Sequence, residues 1–332
     1  MLTLPATAIS SLHIILTYKC NYRCTFCFQP DFHSTLNPVV WREKLLPLYP
    51  QLRDIVLHGG EPTAVSSFRE FVALIMNCND SAKFKMFTNG RLFEGFWLDL
   101  MLTRGSVVNF SLNAAHEETY DLLHRFGKRS AVLANLRRAV KERERRNSSL
   151  RIETSIVVTD ANISELPEFV ALSAREGCDR VSIFLDLDLL PRDRKASADS
   201  VDRALDVAER LAITVWGLEN LRGKLLGLPV GAEFLESWRC RRTLHNLYVN
   251  VRADVSFCNF LEPHPIGNLL ENSIEDIWNS SIARGQRNSQ LTGDWTWCRS
   301  AYCGPSRDEP ERVEPMPEPM STPVRLSPSR GD

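Results

Sequence analysis

Residues 20–27 read CNYRCTFC and directly follow a strand-like run, Leu12–Tyr18. Thiolates suit iron–sulfur clusters. Three of them on a short loop can bind three irons of a cubane cluster and leave the fourth iron without a protein ligand. A zinc site normally has four ligands, and this loop offers three with no nearby fourth. The spacing therefore predicts an iron–sulfur cluster bound by Cys20, Cys24 and Cys27, with a zinc knuckle or a chance group of buried cysteines as the alternatives.

Outward from this loop, strand-like and helical patterns alternate over the first two thirds of the chain. The predicted strands are Leu12–Tyr18, Asp54–Leu57, Lys83–Phe87, Val107–Leu112, Arg151–Val158 and Val181–Leu187. Helical periodicity covers residues 38–48, 66–78, 94–103, 117–145, 164–175 and 200–219. Six βα units in a row predict an α/β fold with a parallel sheet and outer helices. Because six units are too few to close an eight-stranded barrel, we expect a partial (β/α)6 barrel with its ligands at the carboxyl ends of the strands.

Several of these strands alternate apolar and polar residues. Strands do so when one face contacts helices and the other lines a barrel interior or meets solvent. We favour an interior that binds a polar ligand, because successive strands share the pattern. Glu153, Asp186 and Asp188 on the presumed inner face are candidate contacts for a substrate with amines or hydroxyls. Ordinary ion pairs with the arginines at 151, 180 and 192 explain the same carboxylates equally well.

Short motifs end the next three predicted strands. GGEP at 59–62 ends the second, TNG at 88–90 the third and SLNA at 111–114 the fourth. Together with the CxxxCxxC loop, in which Phe26 precedes the last cysteine, this series resembles the signature of the radical S-adenosylmethionine (SAM) superfamily. The resemblance implies the partial barrel of that superfamily, a catalytic 4Fe–4S cluster on the three cysteines, and SAM as the second cofactor.

The resemblance also implies which residues bind SAM. GGEP would bind the methionine amino group, SLNA would reach the ribose, and Arg125 would lie near the carboxylate. Asn113 stands where many relatives have Asp. Gly60 is expected to let the backbone approach the ligand closely, so that a branched side chain there would weaken SAM binding more than it unfolds the protein. The cofactor-binding residues predicted in this way are Phe26, Gly59, Gly60, Glu61, Pro62, Asn89, Ser111, Asn113 and Arg125.

A second set of cysteines brackets a predicted hairpin and the helix after it. Its members are Cys240, Cys258, Cys298 and Cys303. Their spacing alone does not distinguish an iron–sulfur site from a zinc site or from unrelated free thiols. Their order, with GN at 267–268 and IEDIW at 274–278 between them, resembles the SPASM or twitch extension of radical SAM enzymes. Four cysteines match the shorter twitch form, which implies one auxiliary 4Fe–4S cluster, whereas Cys78 and Cys178 are expected to be buried packing residues.

These patterns divide the chain into four parts. A radical SAM core spans 1–216, a linker 217–238, a twitch- or SPASM-like auxiliary cluster domain 239–305 and a tail 306–332. The tail consists mostly of Pro, Ser, Glu and Arg with almost no aromatic residues, so it is expected to be disordered.

The composition excludes several classes of protein. Among 332 residues, 40 Lys and Arg balance 41 Asp and Glu for a net charge of −1, so no basic excess indicates nucleic-acid binding. No apolar run is long enough to span a bilayer, and the amino terminus lacks the pattern of a signal peptide. A cytoplasmic protein is expected, and in that reducing compartment the nine cysteines would not pair as disulfides.

The predicted activity follows from the resemblance. A reductant such as flavodoxin or ferredoxin would reduce the cluster, and SAM would be cleaved to methionine and a 5′-deoxyadenosyl radical that takes hydrogen from an unactivated C–H bond. The auxiliary cluster suits an oxidoreductase of the dehydrogenase or epimerase type. Few residues precede the first cysteine, which favours a polar small molecule of natural-product biosynthesis, such as a sugar, aminocyclitol or nucleoside. The enzymatic alternative is a maturase or epimerase of a ribosomally made peptide. The non-enzymatic alternative is an iron–sulfur electron carrier or scaffold, in which GGEP, TNG and SLNA would have no role.

Overall fold

A ten-stranded sheet forms the centre of the part of the molecule described, which comprises residues 3–29, 31–184, 191–227 and 240–294 of a computed structural model. The strands are β1 (Ser11–Ile15), β2 (Arg23–Cys24), β3 (Asp54–His58), β4 (Lys83–Thr88), β5 (Gly105–Ser111), β6 (His124–Arg125), β7 (Arg151–Val157), β8 (Arg180–Phe184), β9 (Thr214–Trp216), β10 (Asn246–Val249), β11 (Asp254–Ser256) and β12 (Gly267–Asn268). The main sheet has the order β12-β11-β10-β1-β3-β4-β5-β7-β8-β9, and β2 pairs with β6 outside it.

Helices follow most of the strands and cover one face of the sheet. The α-helices are α1 (Ser66–Cys78), α2 (Phe96–Arg104), α3 (Glu117–Leu123), α4 (Arg129–Arg145), α5 (Leu166–Arg175), α6 (Arg194–Arg210), α7 (Leu218–Leu225), α8 (Arg242–His245), α9 (Ile274–Trp278) and α10 (Ser281–Thr292). Short 3-10 helices lie at Ala6–Ala8, Leu46–Gln51, Pro62–Ala64, Ile163–Glu165 and Asn259–Leu261, and a π-helical turn at Val40–Lys44.

Alternation along the strands decides which side chains enter the core between sheet and helices. In β1, Leu12 and Ile14 are fully buried in this core, and His13 takes the opposite face. Helix α1 packs on the same core with residues spaced three and four apart, which form one face of a helix. These are Phe68, Phe71, Val72 and Ile75, all fully buried.

The sheet curls into a partial barrel. Strands β1, β3, β4, β5, β7 and β8 are parallel neighbours in this order. The rings of Phe87 on β4 and Phe184 on β8 have centroids 6.3 Å apart, although β5 and β7 separate their strands. In a flat sheet, strands three places apart would lie about 14 Å from each other, so this contact needs a curved sheet. The predicted partial barrel is confirmed.

Three predicted helices differ from the observed elements. The segment 38–48 forms a π-helical turn and a 3-10 helix, because Pro47 and Pro50 cannot donate backbone hydrogen bonds to a regular α-helix. The segment 117–145 is divided into α3 and α4 by β6. The predicted helix 200–219 begins earlier, where the Asp193 side chain caps α6, and it ends at Arg210. Strand β9 then follows, and its three residues were too short a run to recognise in the sequence.

The second half of the chain continues the same sheet. Strand β10 lies parallel to β1, and β11 and β12 follow as antiparallel neighbours. Helix α7, within the predicted linker, packs on α6, and Arg222 Nε lies 2.5 Å from the Asp202 carboxylate. The boundaries between the four predicted parts stay predictions, and the tail at 306–332 lies outside the described residues. No helix among those described is long and apolar enough to cross a bilayer.

Candidate active site

The three-cysteine loop leaves the carboxyl end of β1 and rests on a strand from elsewhere in the chain. Within the loop, β2 pairs antiparallel with β6, which places Cys24 opposite His124. One guanidinium nitrogen of Arg23 donates to the carbonyl oxygens of Cys20 and Tyr22, both at 2.7 Å. These backbone contacts fix the path of the loop and leave its thiols available as ligands.

The electrostatics of these thiols favour a bound metal cluster. Burial raises the pKa of Cys20 to about 11, and it also raises the pKa of Cys24 and Cys27. At Cys24, the charges of the other two cysteines raise the pKa further. Three thiolates here would be destabilised without a positive partner, which iron supplies. Within the described ranges, no three His, Cys, Asp or Glu side chains converge closely enough to bind one metal ion.

The two glycines of GGEP pack this motif against the cluster loop. Gly59 has a φ of 136°, and a Cβ there would lie 2.7 Å from the Thr17 carbonyl oxygen. A Cβ on Gly60 would lie 1.9 Å from the carbonyl oxygen of Lys19, far inside any real contact. The neighbour that requires glycine at position 60 is therefore the backbone beside Cys20. Close approach of Gly60 to the ligand stays a prediction.

Glu61 connects GGEP to TNG. Its buried carboxylate accepts hydrogen bonds from the backbone N–H and the hydroxyl of Thr63, from the Thr88 hydroxyl at 2.7 Å and from the Asn89 N–H at 2.7 Å. Burial raises the pKa of Glu61, and these donors oppose the rise. The Asn89 side chain donates in turn to Asn21 Oδ1 in the cluster loop at 2.7 Å. Among the described contacts, Oε2 of Glu61 accepts one hydrogen bond, from the Asn89 N–H. It can therefore accept another, as the predicted contact with the methionine amino group of SAM requires.

Asn113 is held by two partners in a left-handed backbone conformation. Its φ is 58°, and its Oδ1 accepts the Val157 N–H at 2.8 Å. Its Nδ2 lies 3.1 Å from Nε2 of the buried His124, whose Nδ1 lies 3.1 Å from the Tyr120 carbonyl oxygen. A carbonyl can only accept, so Nδ1 carries the proton and Nε2 accepts from Asn113. Burial lowers the pKa of His124 to about 4, which keeps this ring neutral.

Replacing Asn113 by Asp should destabilise the protein by about 1–3 kcal/mol, because a carboxylate cannot donate to His124 Nε2 and would face its lone pair. Thermal unfolding at pH 7 measures the loss. Asn147, which is exposed and also has a positive φ of 48°, supplies the control: Asn147→Asp should change stability little. Equal stability of Asn113→Asp and the wild type would contradict the assigned donor.

The remaining predicted SAM residues have different settings. Phe26 packs edge-on against His124, with ring centroids 5.6 Å apart. Pro62 begins a 3-10 turn, and Ser111 ends β5 with its side chain partly accessible. The Arg125 side chain is exposed and lies over the Phe126 ring. Contact between Arg125 and the SAM carboxylate stays a prediction.

Two family profiles match the chain. The profile described as the radical SAM superfamily matches residues 14–151, which include the three-cysteine loop, GGEP, TNG and SLNA. The chain belongs to the radical SAM superfamily. A profile named SPASM, described as an iron–sulfur cluster-binding domain, matches residues 240–304. The cofactors of this radical SAM protein are accordingly SAM and a catalytic 4Fe–4S cluster, with further iron–sulfur binding in the SPASM region.

Known proteins similar to this radical SAM chain differ in chemistry. GTP 3′,8-cyclase of Clostridium perfringens is 25% identical over 182 residues, which are 52% of this chain and 54% of the relative. The chain spans about half the length of the curated relatives it matches. Streptococcus suis SuiB bound to the precursor peptide SuiA aligns with a TM-score of 0.63 at 15% identity over 89% of this chain and 71% of SuiB. AdoMet-bound anSMEcpe aligns with a TM-score of 0.61 at 16% identity over 85% and 81% of the two chains.

The SPASM region of this radical SAM protein contributes two buried cysteines to the described structure. Cys240 precedes α8, and Cys258 follows β11, so the two bracket the β10–β11 hairpin as predicted. Burial raises the pKa of Cys258, and the charge of Arg242 opposes that rise. A buried thiol beside a cation suits a thiolate ligand. The other two predicted ligands, Cys298 and Cys303, lie outside the described residues.

A band of rings, not predicted from the sequence, crosses the barrel interior of this radical SAM fold. His13 Nε2 lies 3.3 Å from His58 Nδ1, and His58 comes directly before GGEP. Ring contacts continue from His58 to Phe87 at 5.3 Å, from Phe87 to Phe184 at 6.3 Å, and from Phe184 to Trp216 at 6.3 Å. The signal available in the sequence was a histidine between Leu12 and Ile14 in an otherwise apolar strand.

The acidic residues predicted to contact substrate have a different setting. Glu153 is buried, and one of its oxygens accepts from Arg151 Nε at 2.8 Å and Arg180 Nη2 at 2.7 Å. The ion-pair interpretation therefore accounts for this carboxylate. Asp186 and Asp188 lie outside the described residues. Nearby, Asn109 Nδ2 is a buried donor with no hydrogen-bond partner.

Proposed function

We propose that this chain reductively cleaves SAM, abstracts hydrogen from an uncharged polar small molecule held in the barrel, and oxidises or epimerises it. A sugar or nucleoside of natural-product biosynthesis fits this description. When bound, the cluster and SAM supply the 5′-deoxyadenosyl radical. The observation that carries the substrate class is the His13–His58 pair, which lines the interior next to GGEP, the motif predicted to bind SAM.

The histidine pair favours neutral hydrogen-bonding groups. Burial lowers the pKa of His58 to about 4 and that of His13 well below its ordinary value, and the charges of His58, Arg242 and Lys85 lower the pKa of His13 further. Both rings are therefore neutral at pH 7, and each offers one donor and one acceptor. Among the described residues, neither ring has a hydrogen bond beyond the one that joins them, so His13 Nδ1 and His58 Nε2 remain for a ligand.

The other interior groups support the same preference. Because two arginines neutralise Glu153, this carboxylate does not offer a counter-charge to a protonated amine. Asn109 Nδ2 adds another donor, and a buried donor without a partner suits a ligand oxygen. The ring band supplies an apolar wall that excludes water from the reacting carbon. Hydroxyl or amide groups satisfy this interior better than amines do.

Anaerobically reconstituted protein tests the proposal. With SAM and dithionite it should form 5′-deoxyadenosine and methionine, and a panel of deuterated neutral sugars and nucleosides should include one that transfers deuterium to the 5′-deoxyadenosine. Absence of SAM cleavage in protein with a full cluster would reject the proposed activity. A product with altered stereochemistry and no change in oxidation state would assign epimerisation.

The variant His58→Phe should keep slow 5′-deoxyadenosine formation but reduce deuterium transfer from the substrate by about 10-fold or more. The phenyl ring keeps the stacking on Phe28 and the edge-on contact with Phe87 but removes the hydrogen bonds proposed to orient the substrate. His116→Phe is the control, because His116 is exposed outside the barrel. This variant should transfer deuterium as the wild type does. Unchanged transfer in His58→Phe would remove this residue from the substrate site.

Peptide modification is a second candidate. The alignment with SuiB, whose structure contains a precursor peptide, extends over 89% of this chain. A neutral imidazole pair also suits a peptide amide. The same deuterium assay separates the candidates when the panel includes peptides encoded beside the gene.

A further inference from the structure

In addition to Phe28, which directly follows Cys27, two large apolar side chains are exposed next to the cluster loop. Leu122 is 65% exposed near the end of α3, and Phe126 is 61% exposed just after β6. Strand β6 is the strand that pairs with the cluster loop through Cys24 and His124. Phe126 follows His124 by two residues, which is about 7 Å along an extended chain.

The backbone holds Phe126 outward at a cost. Its φ of 68° is in the left-handed region, which costs a residue other than glycine about 1–2 kcal/mol. The Arg91 guanidinium donates to the Phe126 carbonyl oxygen at 2.9 Å, and the Gly127 N–H donates to the His124 carbonyl oxygen at 2.7 Å. A strained turn that exposes an aromatic ring does not serve the core, so its function lies at the surface.

The charges around Phe126 are mostly positive. The segment 123–129 contains Arg125, Lys128 and Arg129 and no acidic residue, and Arg91, which directly follows TNG, contacts it. Arg125 and Lys128 are exposed. The nearby acidic groups lie on α3 before Leu122. They are Glu117 and Glu118 in the first turn of the helix, and Asp121.

We propose that Leu122, Phe126 and the cations at 91, 125 and 128 form a docking surface for an acidic one-electron carrier protein, here called the reductant surface. The proposal rests on the proposed function, because each SAM cleavage consumes one electron from outside the chain. The carrier loses one electron and the catalytic cluster gains one, with no atom transferred. A small apolar centre with charged surroundings is typical of transient electron-transfer encounters, and opposite charges accelerate them.

The test compares two reductants of the reconstituted holoenzyme. Flavodoxin kept reduced by NADPH and its reductase must dock, whereas dithionite is a small molecule that needs no docking surface. In the double variant Leu122→Asp/Phe126→Asp, flavodoxin-driven 5′-deoxyadenosine formation should fall about 10-fold or more, with the dithionite-driven rate within about twofold of the wild type. Aspartate tolerates a left-handed backbone better than most residues, so the turn is preserved.

Controls separate docking from damage. Leu211→Asp places the same charge on an exposed leucine just before β9, at the amino-terminal end of the barrel, and should affect neither reaction. Lys128→Glu is a second variant that should weaken the flavodoxin reaction alone. In the wild type that reaction should slow as salt screens the charges, up to about 0.3 M.

The other outcomes contradict either the reductant surface or the proposed function on which it rests. Unchanged flavodoxin rates in both surface variants, or equal losses with both reductants, would overturn the reductant surface. Loss of a dimer in the double variant would assign the surface to a second copy of the chain. Failure of the wild type to cleave SAM with dithionite would reject the proposed function instead, and binding of flavodoxin measured by its flavin fluorescence would still test the surface.

Discussion

A chain in which Cys20, Cys24 and Cys27 are all replaced by alanine should form no detectable 5′-deoxyadenosine and should keep about half of its iron, about four of about eight atoms. Each of the three thiols is one of three protein anchors of the catalytic cluster. Burial and the charges of the neighbouring thiols raise the pKa of Cys24, and burial raises that of Cys20, so thiolates here are disfavoured without iron. Iron and sulfide analysis, with product analysis by chromatography, measures both losses.

The complementary variants concern the SPASM region. Cys240→Ala or Cys258→Ala should remove the other four or so irons and leave the catalytic cluster able to cleave SAM. Cys78→Ala is the matched control, since Cys78 ends α1 and belongs to neither predicted ligand set, so the iron content should not change. Zinc in place of the second iron set, or a folded triple variant with no iron, would contradict the two-cluster assignment.

The sequence was sufficient to predict those elements whose residues are contiguous along the chain. The CxxxCxxC loop, GGEP, TNG and the strands before them were predicted within a few residues, because each motif and its hydrophobic run are contiguous. The bond from Glu61 to Asn89 was not predictable in detail, since it depends on how β3 and β4 lie side by side. The same holds for β10, which pairs with β1 across more than two hundred residues of chain.

The sequence predicted which side chains face the barrel interior but not the contacts that they make there. Alternation along β7 correctly placed Glu153 on the face away from the helices, but it could not show that Arg151 and Arg180 would neutralise it. Nor could alternation reveal the ring band, because Phe87 and Phe184 meet only when the sheet curls. Substrate contacts in such folds depend on curvature, which no single strand encodes.

Gly60→Ala should remove the catalytic cluster and SAM binding together and lower the melting temperature. The added Cβ would lie 1.9 Å from the Lys19 carbonyl oxygen and 2.5 Å from its carbon. These are backbone atoms and cannot rotate away. That same oxygen accepts the Glu61 N–H at 3.0 Å, and the Gly60 N–H donates to Thr17 at 2.7 Å. Separating the two segments would break these bonds and displace the residue that precedes Cys20.

The size of this effect distinguishes packing from ligand contact. Overpacking costs about 1–3 kcal/mol, which lowers the melting temperature of a chain this large by several degrees. Gly285→Ala is the matched control: Gly285 lies inside α10 with nothing within 4 Å of an added Cβ, so alanine there should stabilise the helix by about 0.5–1 kcal/mol and keep all iron. A Gly60→Ala protein with its full iron content and stability but weaker SAM binding would show that the ligand, and not the cluster loop, is the neighbour that requires glycine.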